Sequence, residues 1–428
     1  MKIRNMGYVI LSAVAAFSLI AQQSYALLAG VKTTGMAATS VSYPIDAFAG
    51  AYNPAAITLL PDRLDAGVSW VHFDQRLNVH DNHSILNVIF PDNQLNGRRN
   101  AAKTPSVYVP EFGIVKHFCF DWACMPIDIT AGFVTYNRNY LKTTYGRPIP
   151  LLGDTKPGLE FLHQTLSPMI AIHFFEQHSF GVSLNVNVQR VKVNGLENFA
   201  NPVFSSDPDK ATNRGYNWST GCGVTIGYLW QPWECFRLGL SWTPKTSMPD
   251  FKKYQGFIAN KGYFPTPMRF QAGVSYNIWA CLALAFDYEF IRWRDIHQLK
   301  NDFQPNVLTS KLGRKDGAGF GWDNQHFYRI GLQYSLNECW DFRIGFRHAN
   351  CPIKRKSAAV NLLTVDTVEN VLTMGTTYHL NACNEFSLLY VHGFSNTVKG
   401  KHSIPDVLTP FPPFPTPQPV FGGGEADL

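Results

Sequence analysis

The chain reads as an all-β, transmembrane antiparallel β-barrel of about 14 strands. Three observations predict this. Strands of strict two-residue alternation recur along the sequence. Three of them run to a tyrosine, cross a short turn and reach a cysteine: Tyr276 to Cys281, Tyr334 to Cys339 and Tyr378 to Cys383. Tyr228 to Cys235 is a fourth copy with two extra residues. Finally, short turns alternate with long polar loops, as in outer-membrane barrels, where the two rims differ in this way.

Composition agrees. Of 428 residues 14% are aromatic and 16% charged, against roughly 25% charged in soluble domains. Mean hydropathy is −0.11, too low for a bundle of membrane helices but suited to a barrel, where every second residue is apolar. The formal charge is +6, and setting aside Lys2 and Arg4 leaves +4. That mild excess, scattered through loops, argues against nucleic acid as a partner.

In chain order, residues 1–26 read as a secretory leader. Lys2 and Arg4 supply the charged start, Gly7 to Ala21 the apolar run, and Ser24-Tyr25-Ala26 the small residues for cleavage near Ala26. Residues 27–63 are rich in Gly, Ala, Ser and Thr and lack strong periodicity. Strand patterning fills 64–400. Phe180, Val182, Leu184, Val186 and Val188 alternate with polar or small residues, and Phe236, Leu238, Leu240 and Trp242 do the same. Expected strands span nine to eleven residues, enough to cross a bilayer when tilted, as such strands do. Aromatics at their ends fit interfacial girdles. Short turns fall near 119–125, 176–178, 231–234, 279–281, 337–339 and 381–384. Long loops fall at 80–104, 141–164, 191–214, 244–263, 292–320 and 349–367. A soluble sandwich also alternates but has no reason to sort its loops by end. Thirteen strands are countable, and an even number closes a bacterial barrel. The fourteenth comes from 400–409 or from the N-terminal segment. The Pro-rich tail, 401–428, is poorly suited to a strand ladder because proline donates no hydrogen bond.

Several residues stand out chemically. Arg237, Asp287, Glu289, Arg329, Arg343 and Arg347 alternate with apolar neighbours and face a polar lumen. Cys119 and Cys124 bracket one turn, and a cross-hairpin disulfide suits an oxidising compartment. Cys235, Cys281, Cys339 and Cys383 mark successive short turns. Strands lie ~4.8 Å apart, so these turns are ~10 Å apart, beyond the ~7 Å a disulfide spans. They are expected as free thiols, as cross-links to other envelope proteins, or as small apolar turn residues. No metal-ligand spacing is evident and no cofactor is implied. A lipid hydrolase built on Asn82-His83-Ser84 is disfavoured, because adjacent extended residues point to opposite sides.

Residues 35–70 carry a resemblance. Gly35-Met-Ala-Ala-Thr-Ser precedes Asp46-Ala-Phe-Ala-Gly-Ala-Tyr-Asn53-Pro54-Ala55-Ala-Ile57-Thr58 and then the first strand. This order and spacing resemble the N-terminal plug of the outer-membrane long-chain fatty-acid transporter family (FadL/TodX type), in which Asn-Pro-Ala precedes the first strand. Phe342-Arg343-Ile344-Gly345-Phe346, followed by Pro352-Ile353, is similar to that family's Arg-x-Gly strand. The resemblance implies that 27–63 is a hatch inside the barrel. It implies a non-enzymatic, passive carrier of long-chain fatty acids or other hydrophobic molecules, which releases them sideways into outer-membrane lipid at a kinked third strand. The matching stretch here holds Ala131, Gly132 and Phe133. Gly132 either permits a break in pairing or is a small lumen-facing residue. The luminal charges line an aqueous pore, as in a general porin, or hold the hatch.

Overall fold

The computed structural model describes residues 10–17, 29–72, 74–89, 91–103, 106–122, 125–406 and 421–428. Its strands are β1 (Ile10–Phe17), β2 (Arg63–His72), β3 (Arg76–His80), β4 (Gly97–Asn100), β5 (Ser106–Trp122), β6 (Met125–Thr144), β7 (Gly158–Phe174), β8 (His178–Asn194), β9 (Asn217–Trp233), β10 (Phe236–Thr243), β11 (Arg269–Trp279), β12 (Leu282–Ile291), β13 (Gln325–Ser335), β14 (Trp340–Ala349), β15 (Asn370–Asn381), β16 (Asn384–Gly393) and β17 (Glu425–Asp427). β2 and β5–β16 pair with their neighbours in chain order, all antiparallel, and β1 joins β16 to β2 to close a barrel. β1 is parallel to both neighbours. It falls within the stretch read as a leader, whose other residues up to Ala26 lie outside the described ones. Residues 401–406 form no strand, and 407–409 lie outside the described residues.

Alternation decides which face is wet. In β14, Trp340, Phe342, Ile344 and Phe346 are exposed on the outside, and Asp341, Arg343 and Arg347 are buried inside. Near the short turns Trp233, Tyr276, Trp279, Tyr334 and Tyr378 add to this exposed ring, an interfacial girdle whose amphipathic rings suit the headgroup level. Strand length departs from expectation. β5 and β7–β9 have 17 residues and β6 has 20. At ~3.3 Å per residue these overshoot a ~30 Å hydrocarbon core. The excess forms a raised wall at the long-loop end, against which the loops pack one apolar core.

Residues 29–62 lie inside the barrel, nearly all buried. They comprise α1 (Val31–Gly35), α2 (Ala49–Tyr52) and a 3₁₀ turn, Pro54–Leu59. Inward-facing glycines make room for them. A Cβ on Gly181 would lie 2.5 Å from Ala55 N, on Gly227 2.1 Å from Asn53 Oδ1, and on Gly239 2.1 Å from Val41 O. Larger residues there would collide with the hatch backbone, because interiors are close-packed.

Candidate functional site

The floor of the lumen is the hatch, and buried polar groups fasten it. Asn53 is fully buried. Its Nδ2 donates to Val41 O (2.7 Å) and Tyr228 O (3.0 Å), and its Oδ1 accepts from Ala55 N (3.1 Å). Thus Asn53 ties two hatch segments to the wall and caps the 3₁₀ turn, while Pro54 starts that turn without a wasted donor. Asp287 Oδ2 accepts from Ser40 N (2.8 Å) and Val41 N (2.9 Å). Glu111 accepts from Gly30 N and Asp65 from Ala47 N. Lys32 donates to Glu385 at 2.8 Å, and Arg63 bridges Asp65 (2.7 Å) and Glu385 (2.8 Å). Burial first, then the Arg63 guanidinium, pull the Lys32 ammonium down to about 8. Burial and the Asp65 carboxylate push the Asp46 carboxyl up to about 6. Such pairs add little net stability, but removing one partner strands the other, at a cost of ~3–5 kcal/mol.

The six luminal charges of the sequence reading therefore divide. Asp287 holds the hatch backbone. Arg237 stacks over Tyr43 of the hatch at 5.8 Å. Arg343 is spent in the wall, donating to Gln333, Thr377 and Asp341. Glu289, Arg329 and Arg347 belong to a second cluster above the hatch.

That cluster has members the alternation did not reveal. Glu289 pairs with Arg269 at 2.9 Å and with Arg329, and Arg138 lies within its electrostatic reach. Arg329 and Arg347 are Cα partners across β13 and β14 and share the ring of Phe327, at 5.4 and 5.7 Å. Arg329 and Arg347 are 0% exposed. Among the described residues, none of the three guanidinium nitrogens of Arg347 has a hydrogen-bond partner, although Asp366 lies within electrostatic reach. Four buried guanidiniums thus converge with few acceptors, which burial makes costly.

Above the cluster lie two apolar cavities of about 40 and 90 Å³. Leu141, Phe161, Val191, Phe251 and Trp293 line the inner one, with His163 and Asn139 as polar points. Leu152, Phe199, Leu362 and Phe421 line the outer. Phe257, Gln298 and Phe320 line both, so the two adjoin across these side chains as a two-part chamber. His163 lies beside Arg138 and Arg269, which joins the chamber to the cluster.

The wall is interrupted beside this chamber. β5 pairs with β6 only as far as Phe112 and Thr135. Beyond that point the β5–β6 ladder does not continue among the described residues: β5 runs on along β2 to Ser106, and β6 along β7 to Thr144, which also bridges Ala102. A register shift between Asn137 and Asn139 makes Arg138 an extra residue. The bulge flips parity: Val134, Tyr136 and Arg138 are buried below it, Asn139, Leu141 and Thr143 above it. Ala131, Gly132 and Phe133, the candidate kink, are paired on both sides. A Cβ on Gly132 would lie 3.2 Å from Ile57 Cδ1 of the hatch, so the glycine makes space for the plug. The interruption starts a few residues further on.

Cys235, Cys281, Cys339 and Cys383 are free thiols at the short-turn rim. The carbonyls of Cys235, Cys281 and Cys339 accept from Asn277, Ser335 and His379 of the next hairpin, at 2.8 Å each. Cys119 lies on β5, and Cys124 lies outside the described residues. In the hydrolase triplet His83 is exposed and Ser84 buried, and Asn82 is committed to backbone contacts.

The family model "Outer membrane protein transport protein (OMPP1/FadL/TodX)" matches residues 11–404. Among solved structures, the toluene transporter TodX of P. putida is similar at a TM-score of 0.59 and 15% identity, over 93% of this chain and 96% of that one. A Pseudomonas aeruginosa FadL homologue gives 0.57 and 13%, over 93% and 94%. The Ralstonia pickettii toluene transporter TbuX gives 0.52 and 15%, over 82% and 90%. At these identities the likeness is one of fold. No curated protein matches the chain in sequence.

Proposed function

This chain belongs to the outer membrane protein transport protein family (OMPP1/FadL/TodX), and from that premise we propose that it passively carries long-chain fatty acids or similar anionic amphiphiles. The observation that carries this reading is the arginine cluster beneath an apolar chamber. A neutral hydrocarbon needs only the chamber. The unspent donors of Arg347 favour a cargo with a carboxylate head. Each methylene buried in the chamber contributes ~0.8 kcal/mol. A charge-assisted hydrogen bond adds ~1.5–3 kcal/mol and offsets the desolvation of both ions.

Release is proposed to be sideways, between β5 and β6. Asn139 and Leu141 line the chamber and lie on β6 beyond the end of its ladder with β5. A tail leaving there enters lipid without crossing water. Residues 1–26 are proposed to be a cleaved leader. Removing β1 leaves β2 and β16 as parallel edges that must pair with each other, since lipid satisfies no backbone group. The mass of the mature chain tests this.

The cargo reading is tested by titrating purified protein with oleate and with oleyl alcohol. Arg347→Gln is expected to weaken oleate on the order of tenfold to a hundredfold, the value of one charge-assisted bond, and to leave the alcohol unchanged. Equal effects on both ligands would remove the head-group role.

A further inference from the structure

We propose that residues 421–428 form a displaceable outer wall of the chamber, and that Phe421 sets the size of cargo admitted. This rests on the reading of the chamber as a cargo site. Ile404, Pro405, Phe421 and Ala426 line the outer cavity, although they follow the last barrel strand. Phe421 is 2% exposed. Its ring packs against Phe199 at 6.2 Å and Phe204 at 6.0 Å between centroids. It therefore fills space at the outer side of the chamber that cargo would otherwise reach.

Among the described residues, 421–428 are held by single backbone and side-chain bonds and a short strand rather than by a barrel ladder: His83 N donates to Gly422 O, Gly423 N to Pro405 O, Gly400 N to Asp427 Oδ1 and Ala426 N to Ser403 Oγ. β17 pairs with β3 over three residues. Val398 and Leu428 exchange backbone bonds at 3.0 and 3.1 Å. Asn82 Nδ2 donates to the carbonyls of both Phe421 and Gly423, each at 2.6 Å. A three-residue strand opens far more readily than a barrel strand, because local stability follows the contacts that must break. Asn82 is one pin among these: its side chain on the β3–β4 connection holds the backbone on both sides of Gly422, whose own carbonyl accepts from His83 N. The segment thus couples outer-loop position to chamber volume.

The test uses the full-length protein in detergent, with stopped-flow binding of two fluorescent fatty acids of different bulk. Asn82→Ala should accelerate association of the bulkier ligand several-fold. Phe421→Ala should gain about fourfold in affinity for each extra methylene that enters the enlarged cavity. Phe421→Leu should fall between the variant and the wild type. Hydrogen exchange at the Ala426 and Leu428 amides should quicken when the bulkier ligand binds. If ligand binds but its rate, size preference and the exchange are all unchanged, the wall role is overturned and the cargo site stands. Absence of binding in wild type and every variant would overturn both. Binding gained only in Asn82→Ala would support the wall.

Discussion

Replacing Asn53 by alanine should unfasten the hatch and leave the barrel standing. Asn53 makes three hydrogen bonds, to Val41 O, Tyr228 O and Ala55 N, from a fully buried site. Each buried group left unpaired costs ~1–3 kcal/mol, so the loss is at least ~3 kcal/mol. That corresponds to roughly a hundredfold more hatch opening, at 1.4 kcal/mol per factor of ten. The thermal transition of the barrel should move little, because the strand ladders do not pass through Asn53. The assay is hydrogen exchange of hatch amides, with Ala47 and Ala49 as reporters, alongside single-channel conductance in planar bilayers. Thr58→Ala is the graded control. Its hydroxyl contacts Ala55 O and Ser179 Oγ from a half-buried site, so its effect should be about fivefold, near 1 kcal/mol. Unchanged exchange and conductance in a folded Asn53→Ala protein would refute the pin, and equal effects in both variants would refute the ranking.

Three further outcomes are expected. Val109→Asp places a charge on β5 beyond the end of its ladder with β6, so uptake into vesicles should fall while binding to the chamber persists; normal uptake would remove the side exit. The Asp46 carboxyl, raised from 3.8 to about 6 by burial and Asp65, stabilises the seated hatch fully below the unfolded value and loses that contribution as pH rises through about 6. Exchange at Thr33 and Phe48 should therefore quicken between roughly pH 5 and roughly pH 7, and Asp46→Asn should flatten the profile. Finally, Cys281 and Cys339 are exposed at the short-turn rim, so an impermeant maleimide should label them in opened envelopes and not in intact cells. Labelling in intact cells would reverse the orientation.

The architecture was legible because a membrane wall imposes a local rule. Every second residue must face lipid, and Trp340, Phe342 and Phe346 announce this within a single strand. The Tyr-to-Cys turns likewise read correctly as one rim, since a tight hairpin is a local event. Asn53-Pro54-Ala55 resembled a plug motif in sequence, but its work is tertiary: the side chain reaches Val41, twelve residues back, and Tyr228 on β9.

Gly132, open in sequence to either a break in pairing or a small lumen-facing residue, shows the limit. A glycine inside a strand says that something comes close, not what. At Gly132 it is Ile57 of the hatch. The actual interruption begins near Arg138, where a bulge reverses parity and so hides both Arg138 and the chamber residues Asn139 and Leu141 from an alternation rule. The arginine cluster draws on β6, β11, β13 and β14, and no spacing along one strand brings those together.

By itself, then, the sequence determined the strands, their two faces and the unequal rims, all of which follow from nearest-neighbour geometry and solvent, while the plug-like start was implied by the family resemblance alone. Only the closed tertiary structure decided which inward charges meet, where the β5–β6 ladder ends, and that the tail returns to line the chamber. Those depend on how a curved sheet brings distant strands to face one another across a lumen, and alternation along a chain carries no record of what lies opposite.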